Sequence, residues 1–205
     1  MPVLISVSID PESMPTAASA VLPNDASVEP ASMSAPVARP LPVFESIRAD
    51  NACFEAARRP GVTLAIHLCR GNNRSHWYAE GGYDAIAERL FGELRVDRFL
   101  LEYDDERSGG FEPLRQVPSD RTVVLGLVSS KTAALESKDE LKQRIKQASA
   151  MLPLDRLALS PQCGFASTME GNLVTGADQE AKLRLVAETA REVWGGQVGT
   201  TRLRA

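Results

Sequence analysis

The chain has 205 residues, 43% of them hydrophobic and 24% charged, with a net charge of −4 and a pI near 5.3. Those values describe a globular protein in water, without the basic excess that nucleic-acid binding usually needs. No apolar run approaches the ~18 residues of a membrane span, and MPVLISVSID has no basic flank and reaches Asp10 where a secretory signal would stay apolar, so a cytoplasmic location is expected.

Eight of the thirteen prolines fall at or before Pro42, among Ala, Ser and Val. Ring-locked residues at that density erase any helical or strand period. Residues 1–45 therefore read as a disordered or irregular segment in which only Val3–Ile9 offers a strand. Regular patterning follows over 46–200. FESIRADNACFEAARR (44–59) predicts a helix, and VTLAIHLC (62–69) a strand, its continuous apolar run suiting burial on both faces of a parallel sheet. YDAIAERLFGEL (83–94) predicts a helix with Ile86, Leu90 and Leu94 on one face. VDRFLLEY (96–103) and RTVVLGLVSS (121–130) are the next strands. Ser137 and Glu140 are spaced as a capping box before a helix carrying Leu141, Ile145 and Ala148 inward. RLALSPQC (156–163) is a fourth strand, and Asp178 can cap a last helix that stops at Gly195–Gly196.

Strand and helix alternate, which predicts an α/β protein with a parallel sheet covered by helices. Neither Gly-rich phosphate-binding fingerprint occurs, so nucleotide binding has no support. The strand ends are more informative. His67 and Cys69, two apart on an extended strand, point to the same face. That pair alone could serve a metal, a nucleophile with its base, or neither. The next strand ends near Glu102 and the last at Cys163. Carboxyl ends of parallel strands are where α/β folds build sites. One imidazole, two thiolates and a carboxylate together fit a tetrahedral Zn2+. The competing structural readings are Glu102 capping the next helix or pairing with Arg107, and Cys163 as a small buried side chain in a tight turn.

HLCRGN, FLLEYDD, VLGLVSSKTAALESKDELKQRI and LALSPQCGFAST resemble the C-terminal, catalytic part of cobalamin-independent methionine synthase. The likeness covers about residues 48–196 and is greatest to the single-barrel relatives of that enzyme, in the superfamily shared with uroporphyrinogen decarboxylase. It implies that residues 46–200 are the last four βα units of a (β/α)8 TIM barrel, with zinc held by His67, Cys69, Glu102 and Cys163. It further implies a methyltransferase of methionine biosynthesis, moving a methyl group from 5-methyltetrahydrofolate or a related donor to the thiol of homocysteine. Glu102 would be the ligand that gives way to the incoming thiol.

Two departures from the family pattern bear on that expectation. Methionine synthases carry a histidine, in a segment like YDIHSP, that protonates the departing folate; here the stretch is LVSSKT, with Lys131 near that place. A lysine with its usual pKa near 10.4 is a poor acid at pH 7. Ser129, Ser130 and Lys131 read either as contacts to an anionic substrate group or as an ordinary loop leading into a helix. The second departure is length, since about 150 residues supply only half a barrel, where the whole usually needs at least ~200. The expectation is a truncated member whose open strand edges favour self-association or pairing with another half. Such a chain would be an active enzyme, a zinc enzyme alkylating another thiol, or an inert zinc-binding fragment. Among the remaining residues, Asn72, Asn73 and Arg74 are candidates for binding a carboxylate or phosphate. His76 reads as a surface histidine, Asp104–Glu106 as a solvated loop, Cys53 as core, and Trp77 and Trp194 as packing residues.

Overall fold

A computed structural model of the chain describes residues 5–8 and 43–195. Five strands, β1 (Ile5–Ser8), β2 (Leu64–Leu68), β3 (Arg98–Glu102), β4 (Thr122–Val128) and β5 (Leu157–Pro161), form one sheet in sequence order, every pair parallel. The helices α1 (Val43–Ala57), α2 (Ala87–Glu93), α3 (Lys138–Ser149) and α4 (Gly176–Trp194) alternate with them, and two 3-10 turns replace a helix between β3 and β4. A sheet wound in one direction without reversal is the order of a barrel arc, not of a doubly wound open sheet. The strand allowed at Val3–Ile9 is β1; the rest of the expectation for residues 1–45, apart from the start of α1, lies outside the described residues.

Strand alternation sorts the side chains into two populations. Ile66, Phe99, Val123 and Leu157 share one register row, and Leu68, Leu101, Leu125 and Leu159 another, all in or against the hydrophobic core under the helices. Phe91 of α2 meets Phe99 edge-on with centroids 5.0 Å apart, and Tyr103 lies 4.7 Å from Phe111. The intervening rows therefore face away from the helices. His67, Leu100, Val124 and Ala158 form one of them, and Glu102, Gly126 and Ser160 the next toward the carboxyl ends.

Several boundaries differ from the sequence reading. Residues 83–86 make a turn, with Ile86 N–H donating to Tyr83 O, so α2 starts later than predicted. Ser137 Oγ accepts from Glu140 N–H at the start of α3, and Leu141, Ile145 and Ala148 are buried as the spacing predicts. On α4 the cap is Thr175, not Asp178: Asp178 is the third helical residue and returns a carboxylate to the Thr175 N–H at 2.8 Å. Cys53 is exposed and not core, because α1 buries the stripe through Ile47 and Phe54 and successive helical residues turn by 100°. Trp194 packs against the core as expected, whereas Trp77 is 45% exposed.

Candidate metal centre at the carboxyl ends of the strands

His67 sits on β2, and Cys69 follows one residue beyond its end on the same face. Cys163 comes two residues after β5, its backbone in the left-handed region with φ 52°. Among the described residues, His67, Cys69 and Cys163 form a group in which one ligand atom from each lies within 4.8 Å of the others. His67 Nε2 and Cys163 Sγ are 3.2 Å apart. In a flat sheet, β2 and β5 would be separated by three strand spacings, roughly 14 Å. Contact between their ends requires the sheet to curl, so the group itself attests a barrel-like arc.

Gly126 makes part of that curl possible. A Cβ built there would lie 2.8 Å from Leu101 O and 3.3 Å from Gln162 Cα. The bare backbone admits the chain leaving β5, where Gln162 N–H donates to Val128 O at 2.7 Å across the irregularity between Gly126 and Val128.

The hydrogen bond from Cys163, with help from His67, outweighs partial desolvation and lowers the pKa of the exposed Cys69 thiol to about 4. The same hydrogen bond and burial push the Cys163 thiol up. Two sulfurs and a nitrogen whose ligand atoms all lie within 4.8 Å of one another make a donor set that suits zinc.

Glu102 does not join the three-residue group. Its side chain is fully buried; Oε1 accepts from Lys131 Nζ at 3.0 Å and Arg107 Nη2 at 3.3 Å, while Oε2 accepts from Arg70 N–H. The pairing with Arg107 weighed for Glu102 from sequence is therefore present. Tyr83 steadies the strand end, accepting from Glu102 N–H at 2.9 Å and donating to Leu68 O at 3.0 Å.

Lys131 is 6% exposed and bound on three sides, by Glu102, by Asp104 Oδ2 at 2.9 Å and by Gln162 Oε1 at 3.0 Å. Burial works against its charge, but Asp104 and Glu102 outweigh burial and raise its pKa above the ordinary lysine value. Its charge is matched by Glu102 and Asp104. The expectation of a solvated loop over 104–106 holds for Asp105, with its side chain 42% exposed, and for the exposed Glu106, but not for Asp104, whose side chain is only 1% exposed. Ser130 is buried, accepting from Asn72 Nδ2 at 3.1 Å and donating to Gln162 O at 2.5 Å. Asn72 is likewise buried and leaves Oδ1 unpartnered. Asn73, Arg74 and the exposed His76 line a shallow cleft with Leu173.

Sequence reading missed Gln162, Arg70, Tyr83 and the buried role of Asp104. Gln162 bridges Lys131 to the His67, Cys69 and Cys163 group, its Nε2 lying 2.8 Å from Cys163 Sγ. Its place inside SPQC, next to a candidate ligand, was the available signal.

The family model described as "Cobalamin-independent synthase, Catalytic domain" matches residues 58–190. The chain is 58% identical over 140 residues to the protein YxjG of Bacillus subtilis (strain 168), covering 68% of this chain and 37% of that protein. It is 25% identical over 137 residues to the methionine synthase of Pyrococcus furiosus, 67% of this chain and 35% of that enzyme. Among solved structures it is similar to a Listeria monocytogenes protein provisionally named a vitamin-B12 independent methionine synthase. There the TM-score is 0.55 at 32% identity, over 73% of this chain and 40% of the other. A B12-independent methionine synthase from Shewanella sp. W3-18-1, solved in complex with selenomethionine, shares the fold with a TM-score of 0.58 at 18% identity, over 74% of this chain and 45% of that one. In each comparison the match takes in less than half of the other protein.

Proposed function

Because the chain belongs to the family of cobalamin-independent synthase catalytic domains, we propose that it takes part in zinc-dependent methyl transfer to the thiol of homocysteine, forming methionine. The observation that carries the proposal is the meeting of His67, Cys69 and Cys163 from strands that are not neighbours in the sheet. These three residues would hold the metal, with Glu102 as the fourth, exchangeable ligand. Zinc bound there would supply the Lewis acidity that keeps a substrate thiol ionised at neutral pH, where a free thiol of pKa ~8.5 is mostly protonated.

The protein's own residues account for the remainder. His67, Cys69 and Cys163 fix the reacting sulfur at the open end of the strands. Glu102, when it is not a ligand, would have Lys131 and Arg107 to hold its carboxylate. The methyl group leaves the nitrogen of the donor for the sulfur of the thiol; the thiol proton is lost, and the donor nitrogen takes one up. A methylated folate is the donor in this reading, and the site works in a cytoplasm that keeps both cysteines reduced.

One observation favours a variant of the reading with another donor. Lys131, near where methionine synthases place their proton-donating histidine, is held as a cation by Asp104 and Glu102 and releases a proton poorly at pH 7. A donor whose leaving group needs no proton, such as a methylated corrinoid, fits that environment.

Purified protein is expected to contain one zinc per chain and to convert homocysteine to methionine with 5-methyltetrahydrofolate or a methylated corrinoid; Cys163→Ser is expected to lose both properties. Failure to take up zinc at saturating metal would remove the metal centre from the proposal. Zinc uptake without homocysteine-dependent transfer from either donor would remove the reaction. Sedimentation velocity on the same sample reads whether the outer edges of β1 and β5 pair with a second molecule.

A further inference from the structure

We propose that Lys131, assisted by Arg107, is a positioning residue that competes with the metal for the Glu102 carboxylate, so that the fourth coordination position is held weakly and passes readily to a substrate thiol. The inference rests on the metal-centre reading above.

A buried carboxylate needs a charged partner, and Glu102 is fully buried. It has two claimants: the cations that hold it here and a metal held by His67, Cys69 and Cys163. Lys131 Nζ lies 3.0 Å from Oε1 and Arg107 Nη2 3.3 Å from the same oxygen. Neither cation depends on Glu102 alone. Lys131 keeps Asp104 at 2.9 Å and Gln162 Oε1 at 3.0 Å. Arg107 keeps Asp105 at 2.6 Å and lies 4.4 Å from the centroid of the Trp77 ring. Glu102 can therefore leave without stranding a buried charge, at the cost of the hydrogen bond its Oε2 accepts from Arg70 N–H. Gln162 joins the two halves of the arrangement, accepting from Lys131 through its amide oxygen while its nitrogen donates to Cys163 Sγ at 2.8 Å. The ammonium is thereby held at a fixed place beside the metal group. A carboxylate shared in this way binds metal less tightly than one with no rival.

The test is a double-mutant cycle on the full chain with Lys131→Met and Glu102→Gln. It has two readouts: zinc affinity by competition with a chelator, and the visible spectrum of the cobalt(II)-substituted protein titrated with homocysteine. Lys131→Met is expected to tighten zinc by ~10-fold, the value of one charge-assisted hydrogen bond removed from the rival state. It should also raise by a similar factor the homocysteine needed to change the cobalt spectrum. Both effects should vanish in the Glu102→Gln background, and Lys131→Arg should restore wild-type behaviour. Unchanged zinc affinity in Lys131→Met would overturn the inference. So would a tightening that persists without Glu102, since that is simple relief of charge repulsion. If Lys131→Met does not fold by circular dichroism, Arg107→Gln, at a side chain 13% exposed, is expected to tighten zinc by ~3-fold, and no change there overturns the inference. Wild-type protein that takes up no zinc fails the underlying reading as well, so the two failures are told apart.

Discussion

Left-handed backbone at a residue other than glycine, asparagine or aspartate is uncommon and costs of order 1 kcal/mol or more. Cys163 accepts it with φ 52°, and the result is a sulfur turned to within reach of His67. Relieving the strain should separate stability from metal binding. Cys163→Gly is expected to leave the metal-free protein about as stable as the parent in urea while weakening zinc by at least ~100-fold, because one of the two sulfur donors is gone. Loss of stability without loss of zinc affinity would show that the conformation serves packing instead. Tyr83 offers a second test. Its hydroxyl joins the ends of β2 and β3 through Leu68 O and the buried Glu102 N–H. Tyr83→Phe leaves that amide without its partner and is expected to cost about 1–3 kcal/mol in urea unfolding; a cost near zero would mean the amide finds another acceptor.

At the level of strands and helices, most of the architecture can be read from local pattern. VTLAIHLC, VDRFLLEY and RTVVLGLVSS each became a strand, trimmed by one or two residues at each end. The candidate ligands were legible for the same reason: His67, Cys69 and Cys163 stand where such strands end. What local pattern does not encode is pairing across the fold. Lys131 and Asp104 lie 27 residues apart, and their union depends on β3 and β4 being neighbours. Cys53 looked internal because cysteine is a small apolar residue, but only the packed face of α1 decides its exposure. Gly126 is equally silent in sequence, one glycine in an apolar run. Its role appears only in the approach of Leu101 O and Gln162 to the place a Cβ would fill. Gly126→Ala is expected to destabilise the protein by about 1–3 kcal/mol through overpacking. It should also weaken zinc by displacing the exit of β5. A variant with unchanged melting temperature and zinc affinity would show that the strands part without effort.

On the scale of the whole described unit, the donors come from β2 and β5, with β3 and β4 between them. A ligand bound only by the folded state adds stability, about 2.7 kcal/mol at a hundredfold excess over its dissociation constant. For a unit of this size that corresponds to a rise in melting temperature of roughly 5–10 °C. Zinc is expected to produce such a rise and a chelator to reverse it. Magnesium, which prefers oxygen ligands, should produce none. An equal response to both ions would indicate nonspecific cation binding. No helix among the described residues is long and apolar enough to cross a membrane.

The curled sheet carries one more consequence. The imidazole and the distal sulfur touch only while four adjacent strands bow by enough to close a gap of roughly 14 Å to a few ångströms. On the proposed metal reading, occupancy would act as a strain gauge for the arch, since whatever unbends it must first prise these donors apart.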